Sequence, residues 1–201
     1  MTKFLLTLSI LFCAINLGIA QSDAQQLLQD IQNKFDSITD LSAKITQSVN
    51  GKTNLKGKAF YKKENNLRFE LDNMMIVSDG ETSWNFNKKQ NKVVISDYDN
   101  EGNKILSIRQ LIYEYPDECK LSSSIFEGRK VLELIPQDDI FSFNSIKLFT
   151  NSENLVTKVL IDDPATGKIQ VDLSDIKLNT GLPDSYFQFS PPEGSQVLDL
   201  R

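Results

Sequence analysis

The chain has no histidine. That excludes Ser-His-Asp and Cys-His catalytic arrangements and histidine-ligated metal sites. Cysteine is scarce as well: Cys13 lies in the apolar N-terminal stretch, which leaves Cys119 alone in the body of the chain. A single thiol forms no internal disulfide, and with no imidazole to activate it a buried or incidental thiol is expected. A Gly-rich phosphate loop and a Gly-x-Ser-x-Gly elbow are both missing. The acidic pairs Asp138-Asp139 and Asp162-Asp163 fall at expected turns, where Asp is favoured for its backbone hydrogen bonding. The stretch from Asp97 to Asn103 lacks the spacing and final glutamate of an EF-hand loop. No catalytic, cofactor or metal residue is assigned, and the chain reads as a non-enzyme. A hydrolase acting on a lipid or glycan lacks its residues. The net charge is −5 at pH 7 with no basic cluster, which argues against nucleic acid as partner. After residue 20 no apolar run is long enough for membrane insertion.

What is present begins with a secretory signal. Lys3 supplies a positive start, Phe4 to Ile15 an apolar core, and Gly18-Ile19-Ala20 small residues for cleavage. Phe12 before Cys13 is the wrong residue for lipid attachment. Residues 1–20 are therefore expected to leave, with residues 21–201 forming a single domain. Ser22 and Gln25 resemble a capping box, and Ala24, Leu27, Leu28, Ile31, Phe35 and Ile38 make one helical stripe. That helix packs on a sheet or covers a cavity. From Leu41 the period becomes two, through Leu41, Ala43 and Ile45, then Leu55, Gly57 and Ala59, then Leu67, Phe69 and Leu71. Such segments are half-buried antiparallel strands, and Asn50-Gly51 signals a hairpin. Met74 to Val77 is apolar on both faces; Trp84 and Phe86 share one face. Ile105, Ile108, Leu111, Ile112 and Tyr115 return to helical spacing, with Pro116 as a stop. Strands follow at Lys130–Ile135, Ser145–Thr150, Val156–Asp162 and Ile169–Leu178, and Phe187 and Phe189 alternate before Pro191-Pro192.

Roughly ten short strands and two helices predict a mainly β, α+β domain built as a barrel or strongly curved sheet. The phenylalanines and Trp84, spread over the strands, fit a wide apolar interior suited to acyl chains.

Several stretches are similar to those of one family. They are Leu41-Ser42-Ala43-Lys44-Ile45-Thr46-Gln47, Gly57-Lys58-Ala59-Phe60-Tyr61-Lys62-Lys63 and Leu67-Arg68-Phe69-Glu70. The sharpest is Val77-Ser78-Asp79-Gly80-Glu81-Thr82-Ser83-Trp84-Asn85-Phe86, and the last is Phe187-Gln188-Phe189-Ser190-Pro191-Pro192-Glu193-Gly194. In order and spacing the chain resembles the LolA-type periplasmic carriers, which sort lipoproteins to the outer membrane. The resemblance implies an incomplete antiparallel barrel with a helical lid over an apolar cavity. It implies a monomeric periplasmic chaperone whose partners are lipoprotein acyl chains, an inner-membrane ABC transporter and an outer-membrane acceptor, with only transient membrane contact. Candidates for lining the cavity are Leu27, Leu28, Ile31, Phe35, Ile45, Phe69, Leu71, Val77, Trp84, Phe86, Ile108, Leu111, Leu148, Phe187 and Phe189. The family's Arg-Pro turn is here Lys63-Glu64. Lys63 keeps the charge without the guanidinium fork and is the candidate for lid control and release. The alternative is a lipid- or lipoprotein-binding sensor module of the same fold. Such modules are more often fused to a further domain, whereas this chain ends soon after Pro-Pro-Glu-Gly.

Overall fold

Period-two sequence becomes strand with few exceptions. The computed structural model describes residues 23–98, 108–138 and 141–201. The expected signal, Ser22, Ile105, the loop at 99–103 and Asp139 lie outside the described residues. Among those described, the strands are β1 (Asp40–Val49), β2 (Lys52–Lys62), β3 (Asn66–Leu71), β4 (Met74–Asp79), β5 (Thr82–Asn87), β6 (Lys92–Asp97), β7 (Cys119–Phe126), β8 (Arg129–Pro136), β9 (Ser145–Thr150), β10 (Val156–Asp163), β11 (Gly167–Leu178) and β12 (Gln196–Asp199). In the first of the chain's two compact units the order is β10-β9-β8-β7, and in the second β12-β6-β5-β4-β3-β2-β1-β11. Among the described residues the outermost strands of neither run pair with each other, so neither run closes on itself. Within each unit neighbours are antiparallel as expected, apart from β12, which runs parallel to β6.

The chain divides into two compact units. The first holds Met1–Phe35 and Ile108–Ala165. Its helix α1, residues 23–36, counts its last residue with the other unit. Ala24, Leu27, Leu28 and Ile31 on α1 are at most 4% exposed. Each buried Leu or Ile contributes about 1.5–3 kcal/mol relative to exposure. Leu132, Leu134, Ile146 and Leu148 pair across β8 and β9 and are equally sealed. Lys34 bonds Glu153 at 2.9 Å and the Gln32 amide donates to the Ile112 carbonyl at 2.7 Å, fixing α1 within its unit. The second helical stretch, residues 108–118, widens to a π turn over Gln110–Glu114 and tightens to a 3-10 turn over Tyr115–Glu118. Pro116 was expected to stop the helix. It instead opens the 3-10 turn, where its missing N–H needs no partner.

The second unit holds Asp36–Ser107 and Thr166–Arg201. Asn50 and Gly51 both take positive φ and join β1 to β2 in the expected two-residue turn. At Gly57 a Cβ would lie 2.2 Å from the Glu70 carbonyl oxygen, so glycine lets β2 and β3 approach. The alternation at Phe187 and Phe189 does not make a strand: Asp184–Phe187 is a 3-10 turn. Phe187 ends that turn with its ring against Tyr186, and Phe189 follows it with its ring against Phe86. The exposed strand β12, like β7 with its serine run, carries little apolar patterning to read.

Candidate lipid-binding face

Cross-strand partners point to the same side of a sheet, so register assigns the candidates to faces. In the second unit one ladder runs Ala43–Ala59–Phe69–Ile76. The next row is Leu173–Ile45–Gly57–Leu71, and a third is Leu178–Leu41–Tyr61–Leu67. Leu55 shares this side by alternation with Gly57. Ala43, Ala59, Leu71 and Ile76 are buried, whereas Leu41, Ile45, Leu55, Leu67, Phe69 and Leu173 are only half-buried. Five strands' width of apolar side chains on one face is thus incompletely covered.

Val77, Trp84 and Phe86 lie on the opposite face. Their ladder is Phe60–Arg68–Val77–Trp84–Ile95, with Glu70–Met75–Phe86–Val93 beside it. The C-terminal segment covers this side. The 3-10 turn packs on β3 and β4, and Phe187 and Val77 are fully buried. The Phe189 ring lies 5.7 Å from that of Phe86, and Tyr186 meets Phe60 at 5.0 Å. Arg68 binds Glu70 at 2.8 Å, donates to the Tyr186 carbonyl at 3.1 Å and places its guanidinium 4.7 Å from the Tyr186 ring centre. Val77, Trp84, Phe86, Phe187 and Phe189 therefore form a separate cluster from Ile45, Phe69 and Leu71.

The remaining candidates belong to the first unit. Leu27, Leu28, Ile31, Leu111 and Leu148 are buried there; Ile108 and Phe35 are half-buried, and Phe35 meets Tyr113 edge-on at 6.4 Å.

Lys63 sits where the second unit begins. Its ammonium donates to the carbonyl of Asp36, the last residue of α1, at 2.8 Å, and its N–H donates to the Thr39 carbonyl. A cation at a helix C-terminus complements the helix dipole. Beside it, Asp40 is a residue the sequence reading passed over. It is 3% exposed. Its Oδ1 accepts from the Thr180 N–H at 2.8 Å and hydroxyl at 2.9 Å, and its Oδ2 accepts from the Gly181 N–H at 2.9 Å. Burial pushes the carboxyl up, but these bonds and one from Leu182 outweigh it and hold Asp40 below the ordinary carboxylate value. Lys62 joins the same corner by pairing with Asp184 and donating to the Leu182 carbonyl. No local pattern signals Asp40, since its partners follow about 140 residues later.

Burial, reinforced by the charge of Glu118, pushes the Cys119 thiol up, which disfavours the nucleophilic thiolate. Among the described residues no group of His, Cys, Asp or Glu could hold a metal. A depression of about 310 Å³ in the first unit is lined by Pro136, Gln137, Asp138, Phe141, Phe143 and Pro164, among others, and shares no residue with the apolar face.

Comparison with known proteins gives the following likenesses. A protein from Methanocaldococcus jannaschii, itself uncharacterized, is 25% identical over 189 residues, covering 89% of this chain and 54% of its own length. The chain thus spans about half of that relative. An outer-membrane lipoprotein carrier protein of Legionella pneumophila is 24% identical, with 87% and 91% covered. The crystal structure of an uncharacterized conserved protein from Thermus thermophilus shares the fold, with a TM-score of 0.60 at 13% identity and coverage of 88% and 99%. The family described as "Outer membrane lipoprotein carrier protein LolA" matches residues 36–190, from the end of α1 to the segment that covers Trp84 and Phe86. The chain belongs to that LolA family.

Proposed function

We propose that the protein is a periplasmic carrier that shields lipoprotein acyl chains between the inner and outer membranes. One observation carries the reading: the half-buried apolar face of β11, β1, β2 and β3, in a chain of the lipoprotein-carrier family. An acyl chain in water costs about 0.8 kcal/mol per CH₂. A soluble carrier must therefore offer apolar area that its own core leaves uncovered, and uncovered apolar patches mark binding surfaces. Leu41, Ile45, Leu55, Leu67, Phe69 and Leu173 supply it. Residues 1–20 act as the export signal and residues 21–201 as the carrier. An inner-membrane ABC transporter loads it, an outer-membrane acceptor unloads it, and the protein works as a monomer without catalysing a reaction. Lys63, at the end of α1, governs release.

The test is native mass spectrometry after incubation with inner-membrane vesicles and ATP. A soluble one-to-one complex with a lipoprotein is the expected result. Free lipid alone would make it a lipid binder of another kind. No added mass, from vesicles that load a known carrier, would overturn the reading.

A further inference from the structure

The β7–β8 hairpin exposes apolar side chains that neither the core nor the candidate face uses. Ile125 is 77% exposed and Phe126 54%. Both sit at the tip, because Glu127 and Gly128 take positive φ and close a two-residue turn before Arg129. That turn type matches strand twist and gives a stiff hairpin end. Among the described residues β7 pairs only with β8, so no described strand borders the tip on its other side.

Cations surround this end of an acidic chain. Arg129 and Lys130 are the cross-strand partners of Phe126 and Ile125. Lys158 lies beside Phe149, which packs edge-on against Phe126 at 6.2 Å. The opposing charges are Glu127, 3.6 Å from Arg129, and Asp30, 3.8 Å from Lys130. Three cations thus stand against two carboxylates where the chain as a whole carries −5.

We propose that this hairpin tip is a foot that touches an anionic lipid bilayer. Ile125 and Phe126 are adjacent on a strand, so they point to opposite faces of the hairpin. A protein docking on one face would cover only one of them. A bilayer receives the tip from both sides at once, with the basic side chains reaching the headgroups above. Two apolar residues and a few cations give weak, reversible attachment. The proposal does not rest on the cargo reading, since the tip belongs to the first unit and shares no residue with the apolar face of the second.

The experiment is co-sedimentation of the purified protein, without cargo, with vesicles of phosphatidylcholine alone or mixed with phosphatidylglycerol. Binding is expected only to the anionic vesicles and should fall with added salt. Ile125→Ser/Phe126→Ser should weaken it by about tenfold or more. Phe126 touches Phe149, so Ile125→Ser alone, with an unchanged urea midpoint, serves as the variant that leaves folding intact. Glu127→Gln should strengthen binding. A Phe126→Trp reporter in a Trp84→Phe background should shift its emission to the blue on anionic vesicles only. Absence of binding, or binding unaffected by Ile125→Ser, overturns the proposal. So does self-association that Ile125→Ser abolishes without any vesicle binding, which would make the tip a contact between two copies.

Discussion

Asp40 and Lys63 lie in one corner of the second unit and do different work. Asp40 accepts from Thr180 and Gly181 and so ties the start of β1 to the chain after β11. Asp40→Asn turns one acceptor into a donor facing N–H groups, and leaving such buried groups unpaired costs about 1–3 kcal/mol. Urea denaturation at neutral pH should show that loss. The pH dependence has a fixed sign. Because the folded carboxyl lies below its ordinary value, its contribution is complete above the unfolded pKa and disappears as the pH falls through the folded one. The wild type should therefore lose more stability than Asp40→Asn on acidification through that window; parallel curves would show that Asp40 is not the group responsible. Lys63 is exposed and makes one charge-assisted bond to the last carbonyl of α1. Lys63→Leu should cost no more than about 1 kcal/mol, yet alter cargo release to acceptor vesicles. Unchanged release at unchanged stability would remove Lys63 from that role.

Strands β2 and β3 show how a single missing side chain shapes an element. Gly57 has Ile45 and Leu71 as its cross-strand neighbours. A methyl group there would strike the Glu70 carbonyl and the Leu71 side chain. Gly57→Ala should therefore destabilise by about 1–3 kcal/mol, against the near-neutral effect expected of Ala at an open strand position. Thermal unfolding would measure it. The helical elements teach a different lesson. The stripe of α1 was legible because helical spacing depends only on its own sequence. Residues 108–118 were legible as a helix but not in their turn types, because π and 3-10 turns shift the side-chain period within a few residues.

At the scale of the whole molecule the two faces of the second unit make opposite predictions. Phe69→Glu places a charge on the half-buried face and should abolish cargo loading while leaving the fold intact by circular dichroism. The chain's single tryptophan, Trp84, lies on the other face, against β4 and β6. Its emission should change little when cargo binds. A large shift on loading would place the acyl chains on the face that the C-terminal segment covers.

Sequence alone determined the period of nearly every strand, the amphipathic helix and the Asn50-Gly51 turn, since each depends on neighbours a few residues away. The lack of residues for common catalytic arrangements was equally plain, as was the likeness to the LolA family. Parity between strands was decided only by the tertiary structure. Alternation shows that Phe69 and Leu71 share a side, and that Trp84 and Phe86 do, but whether the two pairs face the same way depends on the register each turn imposes. The paired rows Phe69–Ile76–Asn85 and Arg68–Val77–Trp84 set them on opposite faces. Asp40 was hidden for a related reason: a buried carboxylate needs donors, and its donors arrive from the far end of β11 only once the chain has folded.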